Sequence, residues 1–461
     1  MVIKIIKNSQ KFYLIVILAF CVSQNYFVYA AREPLIRVLI SKNKNLRIRS
    51  DGSIPLIIKG QKFSNKKIKG LTLKNESNRT IIFFDKNKQK IYDLKNKAKI
   101  EVKSSDGRGI WVGQKRYSGI LNLLIIDSEI LVINILGIES YLSSVVGSEM
   151  PTKWPLEALK AQAIASRTYA LKQKGNNFYD VDSTQLNQVY SGLEARNYKT
   201  IRAVRSTRSL VLTYKNKLIN ALFHSSSGGM TENSQDVWRS KYPYLSSVKD
   251  FDTNNPKLSW QKRFTHEKLE ELFPTIGGLN KIKILSITET GRVKNIKIYG
   301  PYGSETISGT DIRKKLNLKS SLVRFNFIED TEPKSEKDNS KELQSEKSIN
   351  TPITYIVKLG DNLIDIAMRY NVNIDEIVTL NSIEDPTLIK INQRLLVPRK
   401  QNETISPVKK ILVVSGLGSG HGVGMSQWGA RFLASKGIKA EKILKHFYKD
   451  AKIKPFNKNH L

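Results

Sequence analysis

The sequence predicts an α+β fold: a β-rich N-terminal part, a mixed α/β remainder, and a small βααβ insert towards the C-terminus. Three observations predict it. Residues 36–135 alternate short apolar runs with clusters of Asn, Gly, Lys and Ser, the pattern of strands and turns. Residues 155–173 place Leu156, Leu159, Ala163 and Ala170 at helical spacing. The stretch 331–350 is almost wholly polar and cannot bury a core, so it reads as a linker ahead of a compact segment at 353–398.

Taken in order, the first thirty residues read as a secretory signal. Lys4, Lys7 and Lys11 form a basic start, and Tyr13–Val22 is an apolar run too short to cross a hydrocarbon core of roughly 30 Å. Val28-Tyr29-Ala30 suits cleavage after Ala30, an uncleaved anchor being the other reading. The only cysteine, Cys21, lies in this segment, behind Phe20 where a lipoprotein signal needs a small residue. The mature chain is thus expected to have no disulfide, thiolate nucleophile or thiolate metal site. No later stretch is long and apolar enough for a membrane helix, so the chain is expected to be secreted, to the periplasm or cell wall, with no membrane contact after signal removal. The formal charge of +35 then points to an anionic wall or surface polymer rather than to nucleic acid. The lysines are scattered, however, and a lysine-rich composition explains them equally well.

In the β-rich part, Ile36–Ile40 and Thr80–Phe84 are strand candidates. Leu123–Ile126 and Ile130–Ile135 flank the polar Asp127-Ser128-Glu129 and predict a hairpin. Pro155 suits the first turn of the following helix and Gly175 its stop. Within 353–398 the pattern is strand, two short helices, strand, with Asp361 placed to cap the first helix. A second polar stretch, Arg399–Pro407, follows. The last segment opens with a strand from Ile411, a glycine-rich turn, and a helix from about Ser426.

Four stretches draw attention for chemistry. In Tyr141–Pro151, Glu149 sits between apolar Val145/Val146 and Met150-Pro151, a setting that disfavours the ionised carboxylate and suits a general acid. A lone Glu ahead of a helix is equally read as a solvated, dipole-facing residue. In Phe223–Glu232, small hydroxyl residues and paired glycines allow close backbone approach to a ligand, or form a plain polar turn. His224 there lacks neighbours to complete a metal site, and Ser225 lacks a G-x-S-x-G elbow. Gly418–Ala430 fails the G-x-G-x-x-G fingerprint and has no P-loop lysine. Its alternate glycines suggest backbone packed closely on something, or a tight turn. The fourth stretch is 353–398 itself, dense enough in apolar positions to attempt a core of its own.

Together these stretches resemble a known family. Ser-Glu-Met-Pro at 148–151 before the Ala-Leu-Lys-Ala-Gln-Ala helix ending in Arg167-Thr168-Tyr169, the His224-Ser225-Ser226-Ser227-Gly228-Gly229 segment, and Gly420-His421-Gly422-Val423-Gly424-Met425-Ser426-Gln427 resemble the SpoIID/LytB family of cell-wall proteins. The segment 353–398, closing on Ile391–Pro398, resembles a LysM domain, a type that binds N-acetylglucosamine-containing glycans. The resemblance implies a signal at 1–30, a catalytic domain in two parts (31–330 and 410–461), linkers at 331–350 and 400–409, and a LysM domain at 351–399. It implies a lytic transglycosylase that cuts MurNAc–GlcNAc bonds in peptidoglycan, with the catalytic glutamate falling on Glu149. The LytB branch implies the alternative, a non-catalytic enhancer of an N-acetylmuramoyl-L-alanine amidase. His224, Ser225, Ser226, Gly228, His421, Ser426 and Gln427 are the expected glycan-binding residues. Some relatives carry cysteines that could hold zinc where this chain has Ser225 and Ser226, so no metal and no cofactor is expected. Asp236 and Glu232 are the candidates for a second carboxylate, should the reaction be hydrolytic.

Overall fold

The computed structural model describes residues 33–329, 352–398 and 410–461, apart from short internal stretches at 53, 61–62, 77–78, 85–87, 91–97, 128, 176–177, 239, 359–360, 371 and 387. The expected signal segment with Cys21, and both polar linkers, lie outside the described residues. The chain is α+β. It gathers into two compact units, residues up to 222 together with 430–461, and residues 223–429. The two-part domain expected at 31–330 and 410–461 thus divides further. Strand Lys410–Leu417 pairs with Ser259–Phe264 and Val323–Glu329 in the second unit, whereas 430–461 packs with the first.

In the first unit, a seven-stranded sheet is ordered Val181–Asp182, Leu35–Asn43, Glu129–Gly137, Ile120–Ile126, Lys99–Ser104, Leu56–Gly60, Phe63–Ile68. The predicted hairpin is its centre, with Leu123 opposite Val132 and Ile125 opposite Ile130. Inward positions Val38, Leu121, Leu123, Ile130 and Val132 are fully buried. Helix α1 (Ile138–Glu149) follows the last of these strands without a break. Helix α2 (Leu156–Lys172) is the predicted one, with Pro155 at its N-cap rather than inside its first turn. Helix α3 (Tyr198–Ser206) is held by an Asn197/Thr200 capping box. The C-terminal strand Lys452–Pro455 closes the unit, lying antiparallel to Leu210–Tyr214. The preceding helix, Ala440–Phe447, is tied to α2 by Glu157, which accepts from Ala440 N–H at 2.9 Å.

The second unit has a core of Phe264, Leu269, Phe273, Ile296, Ile298, Ile312, Leu412 and Val414. Glu329 lies opposite Lys410 in the pairing of Val323–Glu329 with Lys410–Leu417. The module 352–398 is therefore inserted between two neighbouring antiparallel strands. It is βααβ: Ile353–Ile356, helices Leu363–Tyr370 and Ile374–Asn381, and Arg394–Val397. Tyr355, Val357, Ile366, Ile377, Leu395 and Val397 form its own core. Asp361 does not cap the first helix. It accepts from Lys358 N–H (2.8 Å) and Tyr355 Oη (2.5 Å), and Asn362 Oδ1 takes the capping bond from Asp365 N–H at 2.8 Å.

Candidate active site

Glu149 precedes α2, as expected, but it is also the last residue of α1, and the backbone becomes extended at Met150. Pro151 has no N–H to continue the helix. Val145 and Val146 are fully buried and Met150 nearly so, while Glu149 itself is half-buried. Its Oε1 accepts from the Val189 N–H at 2.7 Å. The partial negative charge at the C-terminus of α1 disfavours a carboxylate there, and the Val189 amide favours it.

The loop carrying Val189 is fastened along α1 by two further bonds. Ser191 N–H donates to Ser148 Oγ at 3.3 Å, and Ser144 Oγ donates to Gly192 O at 2.5 Å. Gly147 must be glycine on this face, because a Cβ would stand 1.9 Å from Ala195 O. From the other side α2 supports the same loop. Gln188 is fully buried, accepting from Tyr141 Oη at 3.0 Å and donating to Ser166 O at 3.2 Å. Asn187 donates to Tyr169 Oη at 3.0 Å. Burial pushes the Tyr141 phenol well up, so it stays a neutral donor. Arg167, 1% exposed, grips Glu139 with two bonds of 3.0 and 2.6 Å and locks the first turn of α1 to α2. The Arg-Thr-Tyr end of α2 is thus the frame behind Glu149. Nothing in local spacing marks Asn187–Gly192 as the partner of Glu149, since the contact spans 40 residues of chain. The available hint is a loop that sets an aromatic, Tyr190, among amides, a serine and a glycine.

In the second unit, Phe223–His224 lies parallel to Met425–Ser426, which brings the second and third motifs together. His224 is 5% exposed. Its Nδ1 lies 3.1 Å from Val423 O and so carries the proton, leaving Nε2 as a buried acceptor with no partner among the described residues. His421 Nδ1 accepts from Val423 N–H at 3.1 Å. The two rings are 5.5 Å apart, and Trp238 stands 5.2 Å beyond His421. Burial, then the neighbouring His421 and Arg292, hold His224 well below the usual imidazole range. Burial, then Arg313, lowers His421 to about 4. Both rings are neutral at pH 7.

The hydroxyls of these motifs turn mostly inward. Ser226 Oγ accepts from Asn255 Nδ2 at 3.1 Å, and its backbone pairs with Ser419. Ser227 Oγ donates to Asp250, and Ser426 is bonded to the same carboxyl while accepting from Gly429 N–H at 3.0 Å. Gly228 and Gly229, both at positive φ, donate to Asp252 at 2.7 and 3.0 Å. Gly422 lies against Arg292, where a Cβ would come within 2.6 Å of the guanidinium. The structure thus brings the expected binding residues of this unit together but buries His224, Ser226, Ser426 and Gln427. Ser225, Gly228 and His421 remain partly exposed. Of the two extra carboxylates, Glu232 is fully buried, accepting from Thr288 Oγ1 (2.6 Å), Thr290 and Asn233 N–H (2.9 Å). Asp236 is ion-paired with Lys294 at 2.8 Å.

Two parts of the chain match known families. Residues 127–214, which hold α1, Glu149, α2 and the Val189 loop, match the SpoIID family, described as Stage II sporulation protein, and residues 355–398 match the LysM domain. The amidase enhancer of Bacillus subtilis is 30% identical over 308 residues, covering 67% of this chain but only 39% of its own length. An uncharacterised protein of Brachyspira hyodysenteriae is 30% identical over 346 residues, 74% of this chain and 73% of its own. Stage II sporulation protein D of Bacillus subtilis is 29% identical over 337 residues, 68% of this chain and 74% of its own. The chain belongs to the SpoIID/LytB family of cell-wall proteins and carries a LysM domain.

Proposed function

We propose that this protein is a peptidoglycan lytic transglycosylase, acting outside the cytoplasm at the cell wall, with Glu149 as its acid and base. The observation that carries the reading is the half-buried Glu149 carboxyl, fixed by the Val189 amide at the end of α1 within the segment that matches the family. Glu149 protonates the oxygen bridging MurNAc and GlcNAc, and the bond from that oxygen to the anomeric carbon breaks. The 6-hydroxyl of the same MurNAc then bonds to the anomeric carbon and returns its proton to Glu149. The products are a free GlcNAc 4-hydroxyl and a 1,6-anhydro end. No water is consumed, so no second carboxylate is needed, unlike a hydrolytic glycosidase. The LysM domain holds the chain on the glycan, and Ser225, Gly228 and His421 are the partly exposed candidates for glycan contact in the second unit. His224, Ser226, Ser426 and Gln427 support them from beneath.

Purified glycan strands incubated with the protein should yield 1,6-anhydro ends by mass spectrometry. Glu149→Gln keeps the shape of the side chain but cannot carry the proton, so the rate should fall by roughly a hundredfold or more. Full activity in that variant would remove Glu149 from the reaction. The name of the amidase enhancer relative favours a second reading, a wall-bound activator of an N-acetylmuramoyl-L-alanine amidase. On that reading the protein alone leaves the strands intact and speeds an added amidase.

A further inference from the structure

Trp238, just beyond the second motif, is a large side chain that the proposed reaction leaves unused. It is 39% exposed, and its ring stands tilted by 60° against His421, with centroids 5.2 Å apart. It lines a cleft of about 360 Å³ together with Asp236, Lys294, Asn295, Thr310 and Asp311. That volume sits at the low end of small-molecule sites, which span roughly 300–1,000 Å³, and suits one or two sugar rings.

The charges of the cleft decide what it takes. Lys294 is paired with Asp236 at 2.8 Å. Asp311 accepts from Ser308 Oγ at 2.7 Å. Deeper in, Arg292 faces Glu232 at 3.6 Å. Three carboxylates line the cleft against two cations, Lys294 paired with Asp236 and Arg292 buried beside Glu232 with its Nε and Nη1 unbonded, so the lining is net negative and disfavours an anion. What the cleft offers is an aromatic ring beside hydroxyl, amide and charged groups of both signs. A pyranose presents the complement: a C–H face to lie on the indole, and hydroxyl and acetamido groups for the polar rim.

We propose that the Trp238 cleft is a subsite for a neutral N-acetylated pyranose, separate from the LysM domain. The proposal rests on the reading that this protein works on peptidoglycan glycan, and it names the sugar type the second unit accepts. Trp238 is the platform, and Asp236 with Lys294 forms the hydrogen-bonding rim.

The test uses the full chain carrying Glu149→Gln, titrated with the N-acetylglucosamine tetramer and followed by tryptophan emission. Residues 355–398 contain no tryptophan, so binding at the LysM domain has no reporter of its own. A saturable emission change is expected, absent in Trp238→Ala. Asp236→Ala and Lys294→Ala keep the reporter, and each should weaken the midpoint at least tenfold with the melting temperature preserved. Lys294 is about half exposed, so its loss does not endanger the fold. A flat titration overturns the proposal, as does a midpoint unmoved by both rim variants. Glycan cleavage by the chain with Glu149 intact is measured separately, so a flat titration beside active cleavage sinks the subsite alone.

Discussion

Asp250 joins the two motifs of the second unit at a single carboxyl, held by Ser227 from one and Ser426 from the other. It is 3% exposed, and burial, then the charge of Asp252, pushes it up to about 6 from an ordinary 3.8. Between those values the folded chain binds the proton that the unfolded chain releases. The stability Asp250 contributes therefore falls as pH rises through that window. His421, lowered to about 4 from 6.5, and His224, lowered further, act in the opposite sense. The unfolded chain takes up protons below 6.5 that the folded chain refuses, so their contribution is lost as pH falls. In the native protein the two effects oppose each other on acidification. Asp250→Asn removes one of them. Its melting temperature should fall more steeply than the parent's between pH 6.5 and 4, while matching or exceeding the parent at pH 7. Parallel curves by calorimetry would show that Asp250 does not titrate in this range.

At the scale of elements, α1 decides where Glu149 sits, and Gly147 decides where α1 sits. Alanine in place of a helical glycine normally gains about 1 kcal/mol. Here the added Cβ would meet a backbone oxygen at 1.9 Å, which cannot rotate aside. Overpacking of this kind costs roughly 1–3 kcal/mol. Gly147→Ala should therefore lower the melting temperature and, by shifting α1 against the Val189 loop, slow the proposed glycan cleavage as well. A stabilised variant would mean that α1 is not wedged at Ala195. The same helix shows where the sequence was readable and where it was not. The hairpin 120–137 and α2 announce themselves, one by two apolar runs about a polar turn, the other by apolar spacing and Pro155. Helix α1 does not. Its N-cap, Gly137, makes no side-chain capping bond, and Tyr141 to Val146 are all buried, so neither a start signal nor a polar face marks it. A buried helical segment and a buried strand look alike in sequence. Glu149 could be picked out through its motif, but its partner Val189 could not. The pairing of His224 with Ser426 and the Asp250–Ser227–Ser426 junction likewise depend on residues far apart in the chain. The buried state of Ser226 and Ser426 follows from that long-range pairing, and no local pattern carries it.

Across the whole molecule the chain is nested. The LysM segment lies between strands whose ends, Glu329 and Lys410, face each other. The second unit lies in turn between Leu210–Tyr214 and Lys452–Pro455, where Leu210 faces Pro455. The chain is thus written like brackets within brackets, and the outermost pair closes last. Joining Thr213 to Lys452 first would close a loop across 239 positions of disordered chain. Closure entropy grows with loop length, by about 0.6 kcal/mol per doubling. Each inner bracket that folds beforehand shortens the loop the next one must close, so folding from the inside outward is the least costly route. Pulsed hydrogen exchange should find amides of 353–397 protected first, then those of 323–329 with 410–417, and 210–214 with 452–455 last. Protection of 210–214 ahead of 410–417 would contradict the nested order. On this order, the unit that carries Glu149 waits for strand Lys452–Pro455. A chain clipped before Lys452 has Glu149 in its sequence but lacks the strand that pairs with Leu210–Tyr214.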